Sequence, residues 1–177
     1  MAETIPAQIP PARKPLTQER LIELLRYDPE TGIFTWRSAT GRFAGKQAGY
    51  AVKSLNTSYV NISVDGRKYR ANTLAWLYMN GEIFRPTDHK DGDGLNNRIL
   101  NIRKATHQQN CFNQRMKRTS RNGLKGIARY RDGVKWMARI RINGKQTYLG
   151  IFRTKEDAHA AYCAAAVKFH GEFARTK

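Results

Sequence analysis

Asp88-His89-Lys90-Asp91-Gly92-Asp93-Gly94-Leu95-Asn96-Asn97-Arg98-Ile99-Leu100-Asn101-Ile102-Arg103, with Thr106-His107-Gln108-Gln109 just beyond it, is the stretch that decides how this chain is read. It crowds carboxylates, amides, glycines and one histidine into a loop between apolar stretches. Thr106 and Gln109 have capping-box spacing, so a helix should open there, with Asn110 four residues in and able to project back toward the loop. A neutral imidazole can take a proton from water, and a divalent cation can stabilise charge on a leaving oxygen. Such a residue set suits phosphodiester hydrolysis. A hard cation takes oxygen ligands, for which Asp88 and the amide of Asn110 are suitable, and Mg²⁺ would keep several waters besides. Strand alternation would point Asp88 and His89 to opposite sides, so a bend or strand end is needed to bring both into one cleft. A second amide such as Asn101 could accept from one ring nitrogen of His89 and leave the other free as base. The same residues also read as a solvated loop, or as a cation loop of another kind. No glutamate closes a twelve-residue calcium loop.

Working outward, Tyr59 to Val64 and Arg67 to Arg70 flank Asp65-Gly66, a two-residue hairpin signal. A helix is expected from Thr73 to Asn80, ending at Gly81. Thr17 to Arg26 reads as a short amphipathic helix, and Asp28-Pro29-Glu30-Thr31-Gly32 as a turn before a strand at Ile33–Trp36. Toward the C-terminus, Lys125–Tyr130, Val134–Ile142 and Gln146–Phe152 are strand candidates separated by Asp132-Gly133 and Asn143-Gly144. Ala158, Ala161, Tyr162, Ala165 and Phe169 then recur at helical spacing. The simplest assembly is a three-stranded antiparallel sheet packed on one helix. Parity turns Trp136, Ala138 and Ile140 toward that helix and Met137, Arg139 and Arg141 outward. The outward face is either a DNA surface, since β-sheets enter the major groove, or a solvated basic face.

The chain has 177 residues and a net charge of +18, with a sequence pI near 10.4. Residues 1–114 hold 16 basic and 10 acidic side chains, a net of +6, whereas residues 115–177 hold 16 and 4, a net of +12. That balance points to a polyanion, with nucleic acid first. The shift divides the chain into a Pro-rich tail (1–15), a first domain (16–114), a basic linker (115–122) and a second domain (123–177). The tail is expected to be mobile. No apolar run is long enough for a membrane helix, and no secretory signal is expected at the N-terminus. Cys111 and Cys163 cannot build a disulfide framework or a four-thiolate zinc site. A cytoplasmic protein is expected.

Ala71-Asn72-Thr73-Leu74-Ala75-Trp76, Asp88-His89-Lys90-Asp91-Gly92-Asp93, Asn97-Arg98, Asn101-Ile102-Arg103, Thr106 and Asn110 together resemble the HNH endonucleases of bacteriophages, including homing enzymes. The resemblance implies a ββα-metal motif: hairpin, long loop, helix. It implies that Asp88 and Asn110 bind a divalent cation, that His89 is the general base, and that Asn101 orients it. Asn72 stands where related sequences usually have histidine. If the gene is phage-borne, the compartment is the host bacterial cell.

Gly126-Ile127, Trp136-Met137-Ala138-Arg139-Ile140-Arg141, Tyr148-Leu149-Gly150-Ile151-Phe152, Glu156-Asp157-Ala158 and Ala161-Tyr162 resemble the DNA-binding domain of plant ethylene-response factors, the Apetala-two class, over about residues 123–175. That class reads DNA through its sheet. The matching positions are Lys125, Ala128, Tyr130, Arg139, Arg141, Gln146 and Tyr148. The expectation is an α+β protein: a ββα-metal HNH module, then a three-stranded antiparallel sheet on one helix. It would cut double-stranded DNA with a divalent cation, Mg²⁺ first and Mn²⁺ second, as a monomer or else a dimer. No membrane and no small-molecule cofactor are expected. The alternative is a DNA-binding regulator or phage accessory protein whose nuclease site has decayed.

Overall fold

The computed structural model describes residues 14–38, 40–54, 57–114, 116 and 122–176. Nearly all of the expected tail, and the linker except Met116 and Asn122, lie outside the described residues. Thr17 opens helix α1 (Gln18–Leu24) by accepting from the Arg20 N–H. The expected helix reached Arg26, but the chain passes directly into strand β1 (Leu25–Asp28). Leu25 and Tyr27 are buried there while Arg26 and Asp28 are not, a period of two that only a strand satisfies. β1 pairs antiparallel with β2 (Ile33–Trp36) across the expected turn. β3 (Tyr50–Lys53), β4 (Ser58–Val64) and β5 (Arg67–Arg70) form a second antiparallel sheet in that order. Asp65 and Gly66 both take positive φ, +47° and +74°, as a two-residue hairpin of matching twist requires.

β5 runs straight into α2 (Ala71–Asn80), which stops at Gly81 in the left-handed conformation. Ile62 and Val64 of β4 meet Leu74, Ala75 and Leu77 of α2, and Leu21, Leu25 and Phe34 complete one core. β6 (Thr87–His89) and β7 (Ile102–Lys104) then pair antiparallel around a long loop ending in a 3₁₀ turn at Ile99–Asn101. α3 (His107–Asn113) follows with the reciprocal Thr106–Gln109 capping box. Strand, loop, strand and helix thus take the order expected of a ββα motif.

Beyond it, β8 (Ile127–Arg129), β9 (Trp136–Ile142) and β10 (Lys145–Phe152) form an antiparallel sheet with β9 central, and α4 (Lys155–His170) covers one face. Ala138 and Ile140 are buried against Ala158, Tyr162, Ala165 and Ala166, so the parity holds. Trp136 is only half-buried, its ring 4.3 Å beneath the Arg129 guanidinium. A bulge between Tyr148 and Gly150 keeps Leu149 and Phe152 against the core while Tyr148 faces out. Gly126 is required where it stands: at φ +79° a Cβ there would collide with the Tyr162 ring.

The two cores meet through polar and ring contacts. Phe112 of α3 stacks on His170 of α4 with ring centroids 3.6 Å apart. The Arg103 guanidinium lies 3.7 Å over Phe173 and donates to the Glu172 carbonyl at 2.8 Å. The Lys125 amine donates to the carbonyls of Phe112 (2.7 Å) and Gln114 (2.9 Å), completing the C-terminal end of α3. Burial there, aided by the nearby Arg175 charge, pushes the Lys125 amine down to about 8. In the unfolded chain it returns to its ordinary value, so between about pH 8 and the lysine range the unfolded state binds more protons. This group therefore adds stability as pH rises through that window. With ¹³C-labelled lysine, one side chain should titrate near 8 and lose that behaviour in Lys125→Met; a Lys125 titrating with the surface lysines would refute the docking.

Candidate functional site

β6 ends at His89, and the chain turns at Lys90. That strand end lets Asp88 and His89 line one cleft of about 240 Å³, together with Tyr59, Arg70, Asn72, Asn110 and Asn113. Asp88 is buried and lies opposite Arg103 in the β6–β7 register. Arg103 Nε and Nη2 donate to Asp88 Oδ2 at 3.0 and 2.8 Å. Asn113 Nδ2 donates to both Asp88 oxygens, at 3.1 and 3.0 Å, and to the His89 carbonyl at 2.6 Å. The carboxylate is thus fixed by one cation and one amide inside the ββα unit.

His89 is buried, and burial lowers its imidazole below the ordinary value. The Asn97 hydrogen bond and the charges of Asp91, Asp88 and Asp93 oppose that shift without reversing it. Burial thus favours the uncharged ring. Its Nε2 lies 3.2 Å from Asn97 Oδ1. With the amide oxygen accepting from Nε2–H, the lone pair resides on Nδ1.

The His89 partner is therefore Asn97, not Asn101. Asn101 instead serves the loop: its Oδ1 accepts from the Asp91 N–H, and its Nδ2 donates to Asp91 Oδ1 and the Asn96 carbonyl. Burial works to raise the Asp91 carboxyl, but hydrogen bonds from Asp93, Asn96 and Asn101 hold it below its ordinary value. Asn97 owes its place to the first hairpin. Tyr27 Oη donates to the Asn97 carbonyl at 2.6 Å, and Gly32 approaches the same backbone so closely that any Cβ would collide. Gly94 likewise lies against Ser58 and Tyr59 of β4. Asn72, in the position of the usual histidine, donates to Thr87 Oγ1 at 2.9 Å and ties α2 to β6.

Of the four chemistry residues expected from sequence, Asp88, His89 and Asn110 share the cleft and Asn101 does not line it. Asn97, Arg103 and Asn113 were missed. Asn113 lies three residues beyond Asn110, on the same side of α3, a spacing visible in the sequence. Arg103 needed the strand register.

In the second sheet, Arg141 pairs in register with Gln146 and Arg139 with Tyr148, so these four side chains share the outer face. Turned oxygen-first, the Gln146 amide accepts from Arg139 Nε at 2.9 Å. Tyr130 is half-buried just past β8. Lys125 departs from expectation: its amine is spent on α3 carbonyls rather than presented on the sheet.

Residues 69–111, from the end of β5 into α3, match the family model described as HNH endonuclease. Protein 3.8 of Escherichia phage T7 is 29% identical over 110 residues, covering 60% of this chain and 88% of the phage protein. The AP2-like ethylene-responsive transcription factor ANT of Arabidopsis thaliana is 31% identical over 139 residues, 74% of this chain. The AP2-like factor CRL5 of Oryza sativa subsp. japonica is 47% identical over 49 residues, 27% of this chain. The chain spans 24% and 8% of those two plant proteins. Both resemblances read from the sequence are thus found again. Among the described residues, no helix is long and apolar enough to cross a membrane.

The two asparagines are separable in solution. Asn97→Ala should shift the ¹⁵N imidazole signals of His89 toward a mixture of tautomers, while Asn101→Ala should leave them and disturb the amides of Asp91 to Asn96. The reverse pattern would restore Asn101 as the partner of His89.

Proposed function

We propose that this chain is an endonuclease that hydrolyses phosphodiester bonds of double-stranded DNA with His89 as general base. The observation that carries the reading is a buried imidazole, backed by an amide, lining the same cleft as a fixed carboxylate. The HNH match over residues 69–111 supports it. Among the described residues no cluster of three or more His, Cys, Asp or Glu could hold a metal ion. The donors of the cleft instead fit a hydrated hard cation: one carboxylate, Asp88, and one amide oxygen, Asn110, with water in the other positions. Mg²⁺ suits that set, and Mn²⁺ is the substitute. When bound, such a cation supplies charge stabilisation at the leaving oxygen.

The remaining work falls to the protein's own groups. His89 Nδ1 takes a proton from the attacking water, and Asn97 steadies the charge this places on the ring. Arg103 and Asn113 keep the Asp88 carboxylate aimed into the cleft. The second sheet supplies affinity: Arg139, Arg141, Gln146 and Tyr148 present a continuous polar face to a DNA groove. The likeness to AP2-like transcription factors supports that use. A binding-only reading draws on one observation: both Asp88 oxygens already accept from protein donors. Three of the four contacts nevertheless fall on Oδ2 and only one, from Asn113 at 3.1 Å, on Oδ1, so Oδ1 keeps a lone pair for a cation.

Supercoiled plasmid distinguishes the two. The chain should convert it to nicked or linear product with Mg²⁺ and not with chelator. His89→Ala should lower the rate by about 10²–10⁴-fold, because a general base lowers the barrier and hardly affects ground-state binding. Tight binding with no metal-dependent product would establish the binding-only reading, and full cutting by His89→Ala would remove it from the role.

A further inference from the structure

The cleft of Asp88 and His89 does not end at its own walls. A second groove of about 420 Å³ adjoins it, lined by Asn61, Lys68, Arg70, Arg85 and Asn110 among others. Arg70, Asn72, Thr87 and Asn110 line both spaces, so the two share a wall. The floor is the outer face of the β3–β4–β5 sheet, since Asn61 pairs with Arg70 and Ser63 with Lys68, opposite in parity to buried Ile62 and Val64. Among the described residues, no carboxylate lines this groove.

Its three cations are not engaged by carboxylates, as three others in the same half of the chain are. Arg20 pairs with Glu23 and Asp65, Arg103 with Asp88, and Lys104 with Glu82. Lys68, Arg70 and Arg85 form no ion pair among the described residues. Arg70 is also held in place: its guanidinium lies 4.0 Å over the Tyr59 ring, which orients the planar donor fork without using its N–H groups. A fixed guanidinium with open donors is suited to a phosphate, which it can bind in bidentate fashion.

We propose that this groove is a second DNA surface, holding the backbone of the strand under attack where it leaves the cleft. Arg70 touches the phosphate nearest the reacting bond, and Lys68 and Arg85 neutralise those that follow. The assignment rests on the nuclease reading for its direction, though not for its charge. It alters the expected division of labour, in which the C-terminal sheet supplied the DNA contacts. Phosphate contacts fix the register of a strand and carry no sequence information. A backbone track beside the chemistry therefore positions the bond, whatever sequence the second sheet prefers.

The test measures binding of the full chain to duplex DNA in chelator, so that no cleavage is needed, across a range of salt. Each neutralised phosphate contributes about one to the slope of log K against log[salt]. Lys68→Gln/Arg85→Gln should reduce that slope by about two and weaken all sequences alike. Lys68→Arg/Arg85→Lys, which keeps the charges, should retain it, and both should melt with the wild type because both positions are exposed. Arg26→Gln/Lys46→Gln removes two charges from outside both clefts and should leave the slope near wild type. A groove variant whose slope matches that control overturns the proposal. A chain that never cuts plasmid but loses two from its slope in the groove variant keeps the DNA surface and loses only the nuclease reading.

Discussion

A carboxylate buried beside a buried guanidinium is the constraint around which the molecule is arranged. Asp88 and Arg103 face each other across β6 and β7, and neither is well solvated. Removing one partner of such a pair typically costs about 3–5 kcal/mol, because it strands the other charge. The pair therefore fixes the hairpin register and, with it, the strand end that turns His89 into the cleft. Arg103 is itself held by Phe173 and the Glu172 carbonyl, which follow α4. The second core thus reaches into the first one's site. The two halves are distinct in packing and joined beside the cleft of Asp88 and His89.

What could be read from the sequence follows from the range of each interaction. Asp65-Gly66, Gly81 and the Thr106–Gln109 box are decided within four residues, and each stands where expected. The Apetala-two-like parity is nearly as local: alternate residues of β9 divide cleanly once the strand is recognised. Asn97 and Asn101 show the limit. Both are amides in one loop, and the choice between them is made by Tyr27 and Gly32, some seventy residues earlier. Nothing in residues 88–103 carries that information. The boundary of α1 fails for the opposite reason. Leu24 and Leu25 suit either period, and pairing with β2 decides for a strand.

Charge was legible in amount and not in destination. The excess in residues 115–177 suggested one DNA-facing module, yet Lys125 closes the end of α3 and Arg175 Nη1 donates to the Asp91 carbonyl at 2.9 Å. Meanwhile the less charged half keeps Lys68, Arg70 and Arg85 beside the cleft without carboxylate partners among the described residues. Net charge governs long-range attraction, whereas the docking surface depends on which cations are already paired inside the protein.

The proposed nuclease reading requires that a divalent cation bind at Asp88 and Asn110 and not among the aspartates of the loop. Backbone and side-chain amide NMR of the full chain, titrated with Mg²⁺ in the absence of DNA, tests this directly. The expected result is saturable shifts centred on Asp88, His89, the Asn110 and Asn113 carboxamides and the Arg103 Nε–H, all lost in Asp88→Asn. Saturable shifts centred on Asp91 and Asp93 that persist in Asp88→Asn would contradict it.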